Sequence, residues 1–103
     1  MRDLPKQPTY FVLFLTTAYR SLDEVRAKAP EVLAAHLARS QETQAQGTLL
    51  MAGAFLDRPD EPVSTMAVLT TREAAEEYAK GDPFVERGMV SDYIIRPWAN
   101  VLR

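Results

Sequence analysis

Thr9 to Thr17 is an unbroken β-branched and aromatic stretch set off by Pro5 and Pro8, a pattern that predicts the first strand. Ser21-Leu22-Asp23-Glu24 places a capping serine three residues before a glutamate, so a helix is expected to start there. Pro30 cannot donate an amide to the preceding turn but suits a first helical position. It therefore signals either a break near Ala29 or a second start running to Ala45, with Gly47 as the stop. Thr48–Leu56 and Val63–Thr70 are apolar runs flanking the turn-rich segment Asp57–Pro62, and they predict a hairpin with a longer loop. Thr70-Thr71-Arg72-Glu73 repeats the capping spacing with Thr70 at the cap. It opens a helix through Ala74, Ala75, Tyr78 and Ala79 that stops at Gly81. Asp82-Pro83 then offers a cap and a first-turn proline for a short helix to about Arg87. Val90–Arg96 reads as the last strand, and Pro97-Trp98 as the start of a tail that docks on a partner subunit.

The resulting order β, α, β, β, α, β predicts an α+β, ferredoxin-like plan in one domain spanning residues 1–103, with a four-stranded antiparallel sheet covered by helices on one side. Residues 1–8 are expected to be a flexible lead and 98–103 a tail. The strands are apolar on both faces. Strand one sets Phe11, Leu13 and Leu15 against Tyr10, Val12 and Phe14. Strand two sets Leu50, Ala52, Ala54 and Leu56 against Leu49, Met51 and Phe55, and the last strand sets Val90 and Ile94 against Tyr93 and Ile95. Helices can hide one of these faces, and water would leave the other exposed well beyond the ~300–600 Å² apolar patch usual on monomers. A homodimer with sheets packed face to face, a dimeric α/β barrel, is the expected cover.

With 103 residues the chain fits one domain, and its 47% apolar content has to be disposed over both faces of the sheet. The 12 basic and 14 acidic side chains leave a net charge of −2 and are scattered, without a basic strip to neutralise phosphates, which argues against nucleic acid as a partner. No apolar run reaches the ~18 residues of a spanning helix, and Met1–Pro8 lacks the apolar centre of a signal peptide, so the expectation is a cytoplasmic protein without membrane association. The absence of cysteine excludes thiol nucleophiles, disulfides and Fe–S clusters.

Chemistry is thereby concentrated on a short list. The single histidine, His36, lies in Val32-Leu33-Ala34-Ala35-His36-Leu37-Ala38-Arg39-Ser40, where Leu33 and Leu37 mark the buried stripe and His36 sits at its edge, facing the sheet. Ser40 is one turn on and within reach of the imidazole, while Arg39 projects to the polar side. The bland alternative is a helix-face histidine partly covering the sheet. One imidazole without thiolates makes no metal site, and no serine elbow or glycine-rich phosphate loop is present. Asp82 is by default a helix cap. A capping carboxylate can also orient an imidazole and stabilise its charged form, giving a general acid–base pair.

Ala35-His36-Leu37-Ala38, Gly47-Thr48-Leu49-Leu50-Met51-Ala52-Gly53, Asp82-Pro83-Phe84-Val85 with Gly88, and Tyr93-Ile94-Ile95-Arg96-Pro97-Trp98 together resemble the YciI-like (YCII-related) family over Tyr10 to Leu102. The resemblance implies a ferredoxin-like fold dimerising through its sheets and a site built on a histidine and an aspartate, which map onto His36 and Asp82. Leu33 stands where many relatives carry a basic residue, and Ala54 where a proline is common, so an anion-binding arginine on that helix is not carried over. Family activities include dehydrochlorination of a chlorinated hydroxyhydroquinone, and similar folds include muconolactone isomerases and cofactor-free monooxygenases. The expectation is a lyase- or isomerase-type enzyme needing no cofactor or metal, acting on a small aromatic or enol-containing molecule. His36 and Asp82 would be catalytic, with Ser40, Gly53, Phe84 and Tyr93 around the ligand. The alternative is a non-catalytic small-molecule-binding or accessory homodimer in which His36 and Asp82 only hold helix and turn together.

Overall fold

The computed structural model describes residues 8–102. The expected flexible lead therefore lies, apart from Pro8, outside the described residues; the Pro8 carbonyl accepts a hydrogen bond from Asn100 N at 2.9 Å. The elements are β1 (Thr9–Thr17), α1 (Leu22–Lys28), α2 (Pro30–Ala45), β2 (Leu49–Ala54), β3 (Ser64–Leu69), α3 (Arg72–Gly81), α4 (Pro83–Glu86) and β4 (Val90–Ala99). One four-stranded sheet has the order β2-β3-β1-β4, and β3 is antiparallel to both of its neighbours, as β1 is to β4. This is the split βαβ arrangement of a ferredoxin-like α+β fold. Among the described residues, no helix is long and apolar enough to cross a membrane.

The helix boundaries follow local chemistry. Ser21 Oγ accepts from Glu24 N at 3.0 Å, but the reciprocal half of the capping box is not made: Glu24 lies 3.9 Å from Lys28 instead. Both alternatives for Pro30 hold at once, since Ala29 leaves helical geometry (φ −138°, ψ 52°) and Pro30 restarts the helix. At the end of α2, Thr48 N bonds Thr43 O and Gly47 N bonds Gln44 O, a Schellman closure that needs the positive φ of Gly47 (84°). Thr71, not Thr70, caps α3, because its hydroxyl accepts from Ala74 N while Thr70 N is still bonded to Thr48 O at the end of the sheet. The last strand also runs further than expected. Pro97 and Trp98 pair with Phe11 and Tyr10, and a proline is tolerated there because β4 is an edge strand.

Directly paired residues share a face of the sheet. Leu13, Leu15, Leu49, Ala67 and Leu69 face the helices and enclose Ala75, Tyr78 and Ala79 of α3, with Phe11, Val90 and Ile95 packed around them. A second cluster of Val25, Ala29, Val32 and Phe84 joins α1, α2 and α4. Two irregularities break the simple alternation expected of the strands. A register shift after Leu49 separates it from Met51, which pairs with Val68 on the far face, and a shift between Thr16 and Thr17 puts Val90 with the helix-facing residues, away from Ile94. The far face carries Tyr10, Val12, Phe14, Met66, Val68, Ile94 and Trp98, and no helix of the described residues packs over it.

Leu69 is fully buried at the centre of the first cluster, opposite both Phe11 and Leu49. Leu69→Ala is expected to lower stability by about 2–5 kcal/mol, read by urea denaturation, without changing the fold.

Candidate functional site

The site begins with α4. Asp82 ends α3 and caps α4, and its Oδ2 accepts from Phe84 N at 3.2 Å and Val85 N at 3.4 Å. Only 2% of its surface is exposed. Such a buried carboxylate needs a partner for its other oxygen. His36, from the middle of α2, supplies it: Nδ1 lies 2.5 Å from Asp82 Oδ1. The Phe84 ring meets the imidazole edge to face, with centroids 5.5 Å apart, which fixes the ring from a second side.

Because an ionised carboxylate only accepts, the short contact puts the proton of a neutral imidazole on Nδ1 and leaves Nε2 as an acceptor. Nε2 has no hydrogen-bonding partner among the described residues. The His36 side chain keeps 28% of its surface accessible and lines a cavity of about 330 Å³ between α2 and the sheet, near the small end of ligand-binding cavities. The walls are mainly apolar, from Leu13, Leu15, Leu33, Leu37, Leu49 and Phe84, and Asp82 and Tyr78 are among the polar lining residues. A larger groove of about 530 Å³ beside the β2–β3 loop mixes Arg20, Arg26 and Arg58 with Asp23, Asp57 and Glu61, and contains neither His36 nor Asp82.

The structure thus brings His36, Asp82, Ser40, Gly53 and Phe84 to one cavity. Tyr93 is not among the lining residues: it pairs with Leu15 across β1 and β4, near the edge of the sheet. Ser40 is at the cavity but does not touch the imidazole. Its hydroxyl donates to the backbone carbonyl of His36 at 2.8 Å and meets Tyr78 Oη at 2.6 Å. Leu37, expected in the buried stripe, is half exposed at the cavity wall.

Two residues were not singled out by the sequence. Arg39 does not project into water. It donates to Tyr78 O at 2.8 Å and Glu77 O at 2.9 Å, closing the last turn of α3, with its guanidinium 5.2 Å from the centre of the Tyr78 ring. Gly81 makes room for it, since a β-carbon there would sit 2.5 Å from the guanidinium. Tyr78 had the signature of a core residue only: one bulky side chain on the alanine face of α3. Burial raises its hydroxyl above the ordinary tyrosine value; the nearby Asp82 charge also raises it and Arg39 lowers it.

No group of three His, Asp or Glu side chains that could hold a metal ion converges among the described residues.

Residues 10–99 match the model of the YCII-related domain. The chain is 32% identical over 100 residues to an uncharacterised protein of Haemophilus influenzae, an alignment covering 89% of this chain and 98% of that protein. Its fold is shared with 5-chloro-2-hydroxyhydroquinone dehydrochlorinase from Burkholderia phenoliruptrix, solved with 2,5-dihydroxybenzoquinone, at a TM-score of 0.61 and 20% identity, covering 86% of this chain and 92% of that one. PA3566 from Pseudomonas aeruginosa is similar at a TM-score of 0.52 and 16% identity, over 94% and 97% of the two chains.

Asp82→Asn tests the tautomer. The oxygen of the amide must stay on the two backbone donors, so its NH₂ faces His36 and Nδ1 has to accept. The imidazole proton is expected to move from Nδ1 to Nε2, read from the ring nitrogens by heteronuclear NMR; a proton still on Nδ1 would contradict the assigned hydrogen bond.

Proposed function

This chain belongs to the YCII-related domain family, and from that premise we propose that it is a small-molecule enzyme working by acid–base chemistry, without a cofactor, through His36 and Asp82. The observation carrying the proposal is the pairing of a buried, amide-bound carboxylate with an imidazole whose other nitrogen borders an apolar cavity. In the resting state Nε2 is free to take a proton from a bound molecule. The imidazolium so formed is stabilised by Asp82, and the same nitrogen returns the proton at another atom. Removing a proton from one carbon and delivering it elsewhere is an isomerisation, and expelling a leaving group after its removal is an elimination. A small aromatic or enol-containing ligand suits the apolar walls and the restricted volume. The solved dehydrochlorinase with its bound quinone is a precedent of fold for such a ligand class. Ser40, Gly53 and Phe84 contribute to the ligand surroundings, with Phe84 also steadying the imidazole. Tyr93 belongs to that role only if a ligand extends beyond the cavity.

Solvent proton exchange tests the chemistry whatever the eventual product. In D₂O, enolisable phenols and quinones that bind should exchange a carbon-bound hydrogen, followed by proton NMR. His36→Ala is expected to slow this by about 10²–10⁴-fold. His36→Gln, which retains a side-chain donor for Asp82, guards against misfolding and should be equally slow. Exchange at the native rate in both folded variants would eliminate His36 as the base and favour the non-catalytic binding reading.

We further propose that the chain is a homodimer through the uncovered face of the sheet. In the single chain Met51, Ile94 and Trp98 on that face are 61%, 56% and 53% exposed, and they flank the paired, already buried Val12 and Val68. Trp98 takes part as a strand residue beside Tyr10, with ring centroids 6.3 Å apart, in place of the expected docking tail. Light scattering on the eluting protein at micromolar concentration should give twice the chain mass, and Ile94→Arg should give the single-chain mass. A native monomer would overturn this assembly.

A further inference from the structure

Ser40 and Tyr78 form a polar feature that the acid–base reading does not use. Ser40 has one hydroxyl proton and two short oxygen contacts, 2.8 Å to the His36 carbonyl and 2.6 Å to Tyr78 Oη. A carbonyl cannot donate, so the Ser40 proton belongs to the His36 carbonyl, and the Tyr78 hydroxyl must donate to Ser40. The reverse arrangement would leave two oxygens 2.8 Å apart with no proton between them. Tyr78 is 4% exposed, and burial together with the nearby Asp82 charge keeps its hydroxyl protonated. Its proton is committed to Ser40, so what remains is a lone pair. Tyr78, Ser40 and His36 all border the same cavity.

In its neutral form the His36 imidazole is in the same condition, with its proton given to Asp82 and Nε2 left as an acceptor. The lining of the cavity therefore includes two acceptors whose own protons are already spent. The described lining residues include one carboxylate, Asp82, and no lysine or arginine. Gln41 and Gln44 also line the cavity, from exposed positions on α2. An anionic ligand would meet Asp82 with no lysine or arginine beside it, and at Tyr78 and at Nε2 of the neutral His36 a ligand acceptor would face a lone pair, the donors on the wall being Gln41, Gln44 and Thr65.

We infer that Tyr78, oriented by Ser40, is a specificity-determining residue that accepts a hydrogen bond from a hydroxyl group, and that the cavity selects uncharged, hydroxyl-bearing apolar molecules over carboxylates. This deepens the acid–base reading and rests on its choice of cavity. It assigns Tyr78 to binding and orientation, and the proton transfer stays with His36.

Binding of phenol, anisole and benzoate, followed by NMR titration at neutral pH, tests the inference on the full chain. Phenol has the donor, anisole keeps the ring without it, and benzoate carries the charge. Tyr78→Phe is expected to weaken phenol binding by about 3–10-fold, the loss of one hydrogen bond, while leaving anisole unchanged. Ser40→Ala frees the tyrosine proton and is expected to improve anisole relative to phenol, a reversal that a general loosening of the fold would not give. Benzoate should bind at least about tenfold more weakly than phenol, because the described lining offers its carboxylate no lysine or arginine and a cation would form only by protonating His36. Unchanged phenol affinity in Tyr78→Phe, benzoate binding as tight as phenol, or no phenol binding to the native protein would each overturn the inference. The His36 ring signals separate this failure from that of the underlying site. Phenol that shifts them yet ignores Tyr78 removes only the anchor, whereas phenol bound without shifting them removes the assignment of the site itself.

Discussion

The buried carboxylate of Asp82 is the constraint around which the helical wall of the cavity is arranged. An ionised carboxylate removed from water costs several kcal/mol unless each oxygen is matched by a donor. One oxygen is matched by the first amides of α4, the other by His36. Those contacts dictate much else. They join α4 to the middle of α2, they set the imidazole edge against Phe84, and they decide which ring nitrogen is left for the cavity. The helix cap and the pairing with His36 are one arrangement, so the capping reading and the proposed catalytic reading of Asp82 do not compete. A cap needs one oxygen and leaves the second for a histidine.

The sheet supplies the other half of the cavity through an economy of faces. Its helix side is filled by aliphatic residues and Tyr78, and α3 is held close by small alanines, Ala75 and Ala79, both fully buried. Tyr78 is the bulky exception on that face, and it reaches the Ser40 hydroxyl on α2. Arg39 secures the same junction from the outside by taking two carbonyls at the end of α3, with Gly81 leaving room for its guanidinium. Two helices are therefore tied together by polar contacts on either side of the residue that borders the cavity, which fixes its geometry more firmly than apolar packing alone would.

Much of this was legible in the residues. The β-branched runs, the serine cap, the Pro30 restart and the Asp82-Pro83 start are local signals, and local interactions decided them. What was not legible depended on partners distant in sequence. Thr70 and Thr71 offer the same capping hydroxyl, and only the pairing of Thr70 N with Thr48 leaves Thr71 to do it. Pro97 reads as a strand end until β4 is known to lie at the sheet edge, where its missing amide is harmless. The two register shifts reassign Met51 and Val90 between faces, which alternation in one strand cannot reveal. At the site, the facing of His36 was visible from helical spacing. Ser40 was close but turned to the backbone and to Tyr78, because a helical serine finds the carbonyl one turn back more easily than a side chain on its own helix.

Asp82 holds the neutral imidazole of His36 as the Nδ1–H tautomer and leaves Nε2 to the cavity. The most direct test is the NMR signal of the ring proton in the unliganded native protein. A strongly deshielded proton, protected from solvent and correlated with Nδ1 of His36, is expected. A proton found on Nε2 of the neutral ring, or one exchanging freely with water from Nδ1, would contradict this assignment.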